Sequence, residues 1–483
     1  MKHKKKHFLG TIDNVSHSTK VRIIFYVCSV LIGLSFIVFG LEWLTFLSFI
    51  GWLYYADNLK LFTKKQILID FYLGTFIVSG FAYCWLMQAE AQNWNVSLHG
   101  WFKVVAQIIS WLLVCTFTSI GGLLLGWFMA KYSKHKNRLL IFVLLVPLAE
   151  IVKSYLFAVI SYGNGGSLAP NFFAGSLAVS ASGTPLVFAS RFVGLIGLSL
   201  LSSLLCLAIY SAFTRRYKYS IVLILIIGVS VYLGYKIPGN KPHSSKKMKV
   251  AIVHLNEADT MANWQDYSKI PEDIDLLVLP EYSEALESHK VSELTTKLSK
   301  NGIAVTTIDV GRSPDAVNRL IAFDSNKQII SQQDKTFLIP AGEYLPYSLI
   351  GAFKLLGQNK NIENFKYVQQ IKPGKKQIMP INGGNITVGA LACSGVISST
   401  EYKRLVLGGA EILTNSASLS FLKQNSRFDV FGRNMARYQA VANNRYFTQA
   451  SRSGESYIIS PEGQFIAHNR GGETQVMYKD LKL

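Results

Sequence analysis

An acid, an amine and a thiol stand in order along the second half of the chain: Glu281, Lys335 and Cys393, separated by 54 and 58 residues. Each sits where an apolar, strand-like run gives out: Leu277-Val278-Leu279-Pro280-Glu281-Tyr282, Asp334-Lys335-Thr336-Phe337-Leu338-Ile339-Pro340, and Val388-Gly389-Ala390-Leu391-Ala392-Cys393-Ser394. A cysteine is a good nucleophile only as its thiolate, so it needs a base to take the proton and positive charge or donors to hold the oxyanion formed on attack. A carboxylate at the end of an apolar strand is partly desolvated, which raises its pKa into the range useful for a base, and a lysine ammonium suits the tetrahedral intermediate. The three types in this order point to covalent chemistry through Cys393, with Glu281 as base and Lys335 as electrostatic stabiliser. Taken singly, each fits a plainer role: Glu281 a solvated strand end, Lys335 a surface charge paired with Asp334, Cys393 a small buried residue.

Other chemistries find less support in the chain. The half that holds these residues contains His254, His289 and His468, none in a distinctive setting, and the G-x-S-x-G and H-E-x-x-H patterns are absent. Cys28, Cys84, Cys115 and Cys206 lie in apolar segments, where cysteine packs as a small hydrophobe. Cys393 is then the one cysteine of the polar half, without a disulfide partner there, and no Cys/His cluster has zinc-ligand spacing. No metal or cofactor is expected.

The elements that must position the three residues fall into two textures. Half of the 483 residues are apolar and the mean hydropathy is positive, unlike an ordinary soluble enzyme. The net charge of +20 is uneven: residues 1–248 carry 23 Lys and Arg against 6 Asp and Glu, and residues 249–483 carry 26 against 23. The basic excess falls in loops between apolar segments, which is membrane topology and not a nucleic-acid surface. Apolar stretches at 21–40, 41–56, 67–87, 102–130, 138–160, 186–212 and 219–236 predict seven membrane spans, each near the ~20 residues a bilayer core requires. The lysine-rich start Met1–Lys6 is followed by too much apolar sequence for a cleaved signal peptide, so the first span reads as a retained anchor. Loops around Lys60–Lys65, Lys131–Arg138 and Arg215–Lys218 are basic, whereas 88–100 and 161–185 hold no Lys or Arg. Placing the basic loops in the cytoplasm puts everything after the seventh span outside.

The division is therefore 1–236 as a transmembrane domain, 237–247 as a linker and 248–483 as the catalytic domain. In the last part 248–255, 275–279, 303–309, 319–323, 386–392 and 412–415 read as strands, and 285–300 and 426–445 as helices, which suits an α/β domain with a covered sheet. In the membrane half, Glu150 and Lys153 share a helix face three residues apart and are expected to neutralise each other. The Gly- and Ser-rich stretch 161–185 is expected to be an outer loop, either flexible or part of a substrate gate.

On these residues the chain resembles the apolipoprotein N-acyltransferases, membrane-bound members of the nitrilase (carbon-nitrogen hydrolase) superfamily. The resemblance rests on Leu279-Pro280-Glu281, on Asn318 before a strand, on Asp334-Lys335, on the Pro-x-Gly-Glu-Tyr-x-Pro element Pro340–Pro346, and on Cys393 after an apolar strand. Pro147-x-x-Glu150-x-x-Lys153 and Gly194-Leu195-Ile196-Gly197-Leu198-Ser199 resemble the family's spans. It implies a multi-pass α-helical membrane bundle carrying a nitrilase-like αββα sandwich, with Cys393 as nucleophile, Glu281 as base, Lys335 as stabiliser and Glu343 as an auxiliary carboxylate orienting Lys335. It further implies a phospholipid acyl donor, a thioester on Cys393 and a diacylated lipoprotein acceptor. The expected setting is the bacterial cell (inner) membrane, the domain facing periplasm or exterior, as a monomer that binds no nucleic acid. Residues 348–372 fall where the family has a mobile arm beside the site.

The chain departs from the family pattern at Ser394-Gly395, where an aromatic and a glutamate are usual, and at Asn415-Ser416-Ala417-Ser418-Leu419. It also ends at Leu483 without the closing transmembrane helix the resemblance implies, which would leave the carboxyl terminus outside. A membrane-tethered amidase that resolves the same acyl-enzyme with water, and a lipid-binding pseudoenzyme, are the competing expectations.

Overall fold

The computed structural model describes residues 16–89, 101–236, 246–261, 264, 266–282, 288–422 and 426–483. The start Met1–Lys6, most of 88–100 and nearly all of the expected linker 237–247 lie outside the described residues.

The apolar stretches fold as helices: α1 (His17–Ser35), α2 (Glu42–Asp57), α3 (Lys64–Ala82), α4 (Trp101–Thr118), α5 (Ile120–Lys131), α6 (Arg138–Ile160), α7 (Ser190–Phe213) and α8 (Tyr217–Lys236). Side chains cap two of the starts. Ser16 accepts from the Thr19 amide ahead of α1, and Thr63 and Gln66 form a reciprocal capping box on α3. The segments His17–Ser35, Lys103–Lys131, Arg138–Ile160, Pro185–Phe213 and Tyr217–Lys236 are long and apolar enough to cross a bilayer. Of the seven spans expected, two fall short of that measure: α2 has 16 residues, and α3 carries Lys64, Lys65 and Asp70. The boundary between the first two is a turn in which Gly40 adopts φ +85°, a conformation open to glycine.

Asp70, fully buried on α3, ties the first three helices together. Arg22 donates to it through Nε at 2.9 Å and Nη2 at 2.7 Å, and the Tyr55 hydroxyl donates at 2.7 Å. A carboxylate out of water is tolerated when its acceptor sites are filled in this way.

From Lys247 the chain alternates strands and helices: β1 (Lys247–His254), β2 (Ile274–Val278), α9 (Ser288–Thr296), β3 (Leu298–Val310), β4 (Val317–Asp324), β5 (Ile329–Asp334), α10 (Tyr347–Leu355), α11 (Asn359–Val368), β6 (Ile381–Asn382), β7 (Thr387–Ala392), α12 (Glu401–Leu407), β8 (Ile412–Ser418), α13 (Phe428–Asn443), β9 (Phe447–Arg452), β10 (Ser456–Ile459), β11 (Phe465–Asn469) and β12 (Gln475–Lys482). They form two six-stranded sheets, ordered β12-β1-β2-β3-β4-β5 and β11-β10-β9-β8-β7-β6. The central pairs β1–β2, β2–β3, β7–β8 and β8–β9 are parallel. Alternation sends Val250, Ile252, Leu276, Val278 and Ile303 to the interface with Val388, Ala390, Ile412 and Ile458 of the facing sheet. The opposite face of the first sheet, with Ala251, Val253, Leu277 and Ala304, packs with Leu294 of α9. The opposite face of the second sheet behaves differently. Leu391, Leu413 and Phe447 join Tyr402 of α12, Met435 and Tyr438 of α13, and the membrane helices in one continuous apolar core.

Arg191 at the start of α7 clamps this junction. It donates to the carbonyl of Val441 on α13 through Nε, to Gly234 of α8 through Nη1 and to Pro461 through Nη2, each at 3.1 Å.

Candidate active site

In a sheet of parallel strands the carboxyl ends leave backbone groups unpaired and loops free to carry side chains, and that is where Glu281 and Cys393 emerge, after β2 and β7. Lys335 directly follows β5, its amide donating to the Asn318 carbonyl at 2.8 Å. Glu343 sits in the turn Pro340–Tyr344, which closes through the Ala341 amide on the Tyr344 carbonyl at 2.8 Å, with Ala341 at φ +61°.

The structure brings Glu281, Lys335 and Glu343 into one buried cluster. Lys335 Nζ lies 3.0 Å from Glu281 Oε1 and 2.7 Å from Glu343 Oε1. The remaining oxygens are also occupied: the Ser418 amide donates to Glu281 Oε2 at 3.2 Å, and the Ile339 amide to Glu343 Oε2 at 2.8 Å. The Tyr282 hydroxyl reaches Glu343 Oε1 at 3.3 Å. Lys335 is therefore not the surface charge its neighbour suggested. Asp334 pairs with Arg319 Nε at 2.6 Å instead, and neither Glu281 nor Lys335 meets solvent.

Cys393 is buried at the same place. Its thiol donates to the Ser418 carbonyl at 3.7 Å, and the Ser418 amide binds Glu281, so thiol and carboxyl meet at the same residue. The residue adopts φ +43°, where β7 breaks into the tight turn Cys393–Ile397. A left-handed backbone costs a residue with a Cβ roughly 1–2 kcal/mol, so the turn must be held. Asn415 Nδ2 holds it by donating to the Cys393 carbonyl at 3.1 Å and to Gln449 Oε1 at 2.9 Å, and Ser394 Oγ donates to the Phe337 carbonyl at 2.6 Å.

Burial decides the protonation of the cluster. It pushes Glu281 up to about 7; the Lys335 charge opposes this and the Glu343 charge adds to it. For Lys335 burial alone would lower the amine, but Glu281 and Glu343 outweigh it and hold the ammonium above its ordinary value. Burial, then the Glu281 charge, raises the Cys393 thiol well above its usual range. At neutral pH the arrangement is a protonated thiol, a carboxyl that exchanges a proton near neutrality, and a fixed positive charge. That set can move a proton from sulfur to carboxylate at the moment of attack and balance an oxyanion.

A cavity of about 970 Å³ runs from Cys393, Ser394 and Phe337 to the membrane helices, with Ile109 and Leu113 of α4 and Phe157 of α6 in its wall. It accounts for the stretch 161–185, which is not a free outer loop. The Tyr344 hydroxyl donates to the Ser161 carbonyl at 2.7 Å, the Tyr347 amide to the Tyr162 carbonyl at 2.8 Å, and Asn164, Gly165 and Phe172 line the cavity. Residues 348–372 fold mainly as α10 and α11, which expose Leu355, Leu356 and Tyr367 and bury Phe365.

Glu150 and Lys153 of α6 act on each other by charge, as expected, but make no direct ion pair. Glu150 Oε1 instead accepts from the Leu177 amide at 2.7 Å and Oε2 from the Ser199 hydroxyl, while Lys153 Nζ donates to the Gly175 carbonyl at 3.4 Å. One face of a helix brings two residues near each other, but here both reach a chain segment that sequence spacing could not anticipate.

Asn415, Gln449 and Ser418 are the site residues that sequence reasoning left without a role. A signal existed for the first: Asn415 and Ser416 are polar residues inside β8, a strand buried along its whole length. The Ser418 contribution is a backbone amide and leaves no mark in residue type.

Residues 247–483 match the carbon-nitrogen hydrolase family. An apolipoprotein N-acyltransferase of Shewanella oneidensis is 22% identical over 403 residues, 77% of this chain and 73% of that protein. Another, of Aquifex aeolicus, is 26% identical over 197 residues, 40% of this chain and 42% of that protein. Among solved structures, a carbon-nitrogen hydrolase from Helicobacter pylori aligns with 50% of this chain and 90% of that one at 16% identity and a TM-score of 0.39. The two N-acyltransferase relatives and the family match support an enzyme with acyltransferase activity in general, and the apolar helices together with those relatives support a membrane protein. The second half of the chain matches the carbon-nitrogen hydrolase family, and the chain as a whole is similar to the apolipoprotein N-acyltransferases.

Proposed function

We propose that the protein transfers a fatty acyl chain from a phospholipid, through a thioester on Cys393, to the terminal amine of a diacylglyceryl-cysteine lipoprotein at the outer side of a bacterial cell membrane. The observation that carries this reading is the cavity, which joins Cys393, beside the buried Glu281–Lys335–Glu343 cluster, to apolar membrane helices. A soluble amide would not need such a passage, whereas an acyl chain would. In the first step Glu281 takes the Cys393 proton as sulfur attacks the ester carbonyl, and Lys335 balances the oxyanion. The intermediate collapses by breaking the bond to the glycerol oxygen, which recovers the proton from Glu281 and leaves as a lysophospholipid. In the second step the amine attacks the thioester, its proton passes through Glu281 to the departing sulfur, and an amide is released. Glu343 holds Lys335 in place. The exposed apolar residues of α10 and α11 suit contact with the bilayer beside the site.

Full-length protein in phospholipid vesicles, supplied with a synthetic diacylated lipopeptide, should add one acyl chain to the lipopeptide by mass, and Cys393→Ala should add none. Free fatty acid appearing while the lipopeptide stays diacylated would contradict the transferase reading and favour an amidase-like hydrolase.

A further inference from the structure

The cavity that reaches Cys393 is not apolar throughout. Trp85, Ser154, Arg433 and Glu455 are also in its wall. Trp85 Nε1, Ser154 Oγ and Arg433 Nε are buried and have no hydrogen-bond partner among the described residues. A donor buried without a partner costs about 1–3 kcal/mol, so three around one cavity mark positions at which a bound molecule supplies acceptors.

Arg433 is the most constrained of the three. It is 3% exposed, its Nη1 lies 3.0 Å from Glu455 Oε1, and its guanidinium carbon sits 3.5 Å from the ring centre of Phe39 in the turn between α1 and α2. His468 Nε2 lies 3.2 Å from the other Glu455 oxygen. Glu455 is thus engaged by basic side chains on both oxygens, while Arg433 keeps Nε unused. Asp429 lines the cavity one turn earlier on α13, and burial followed by the Glu455 charge pushes it up to about 7, so near neutrality it does not oppose an anion with a full charge. The cluster is coupled to the nucleophile by hydrogen bonds: Asn415 bridges Cys393 and Gln449, and Gln449 Nε2 donates to the Glu455 carbonyl at 2.9 Å.

We propose that Arg433, held by Glu455 and stacked on Phe39, is a subsite for a phosphate ester and takes the headgroup phosphate of the acyl donor, with Ser154 and Trp85 donating to the donor's ester oxygens. This rests on the acyl-transfer reading and gives the polar head of the donor a place in the cavity that holds Cys393. A guanidinium with an unused Nε–H is suited to a phosphate oxygen, and its charge would favour donors that carry phosphate over neutral glycerides.

The test keeps chemistry out of the readout. Full-length Cys393→Ala protein in detergent is titrated with phosphatidylglycerol and with diacylglycerol of the same chains, and bound lipid is read by native mass spectrometry. Phosphatidylglycerol should bind at least tenfold more tightly, and adding Arg433→Gln should bring the two lipids to within about twofold. Because that change leaves Glu455 buried without its arginine partner, Arg433→Gln with Glu455→Gln removes both charges and should lose the preference equally. Retention of the tenfold preference in these folded variants would overturn the subsite, as would equal binding of both lipids before any change at Arg433. Inorganic phosphate that competes with phosphatidylglycerol supports a site for phosphate as such, and failure to compete while the preference stands supports one for lipid-borne phosphate. Absence of acylation in the Cys393 protein would sink the transferase reading while leaving this binding result intact.

Discussion

Glu281 is a carboxyl held where water cannot relax its charge, and its proton affinity follows from that. With the group pushed up to about 7, the base form is scarce below that pH and complete above it. If Glu281 takes the Cys393 proton, single-turnover acylation should rise about tenfold per pH unit below 7 and level off above it. A flat rate from pH 5 to 8 in rapid-quench experiments would remove Glu281 from that role. Glu281→Gln should slow acylation by about 10²–10⁴-fold. Lys335 carries a different prediction, because it alone faces both carboxylates at 3.0 and 2.7 Å. Lys335→Met leaves those charges uncompensated and should destabilise the protein by about 3–5 kcal/mol, visible as a lowered thermal midpoint, whereas Glu281→Gln should destabilise it less. Equal midpoints for the two variants would contradict the pairing. The residue types and their order were legible in the sequence because each ends an apolar run. Their convergence on one ammonium was not, since Glu343 reaches Lys335 only after the turn at Pro340 closes.

At the scale of elements, the turn after β7 is where sequence and structure must agree most closely. A Cβ on Gly395 would lie 2.6 Å from Leu391 Cβ, so the glycine after Ser394 is fixed by packing against the strand it follows. Gly395→Ala should cost about 1–3 kcal/mol and slow acylation by displacing Cys393, and unchanged thermal stability would show that the turn has room. Asn415→Leu should also slow acylation, since the Cys393 carbonyl and Gln449 Oε1 lose the donor they share. The core strands β1, β2, β3, β4, β7 and β8 could be read from their apolar runs, and so could α9 and α13. Strands β5 and β9 to β12 could not. β5 is a mostly polar, partly exposed edge, and Phe447–Arg452 is polar at four of its six positions without alternation, so these strands are defined by their partners more than by their own pattern.

The whole molecule is organised by a shared core. Leu391 and Met435 pack into the same apolar cluster as the membrane helices, and Arg191 joins α7 and α8 to the carbonyls of Val441 and Pro461. The basic loops on which the expected topology rests were readable from charge alone, whereas this docking joins residues hundreds of positions apart and was not. The topology predicts that Asn326→Cys is labelled by a membrane-impermeant maleimide in intact spheroplasts, while Lys60→Cys is labelled only after lysis; the reverse pattern would place the domain in the cytoplasm. In the proposed mechanism an acyl group rests on Cys393 between two lipid substrates. The measurement that tests it most directly is the intact mass of the protein after incubation with phospholipid and then with a diacylated lipopeptide. A fatty-acyl increment on Cys393, chased away as the lipopeptide becomes triacylated, is the result expected. A lipopeptide acylated without any increment on Cys393, or no increment and no product, would contradict it.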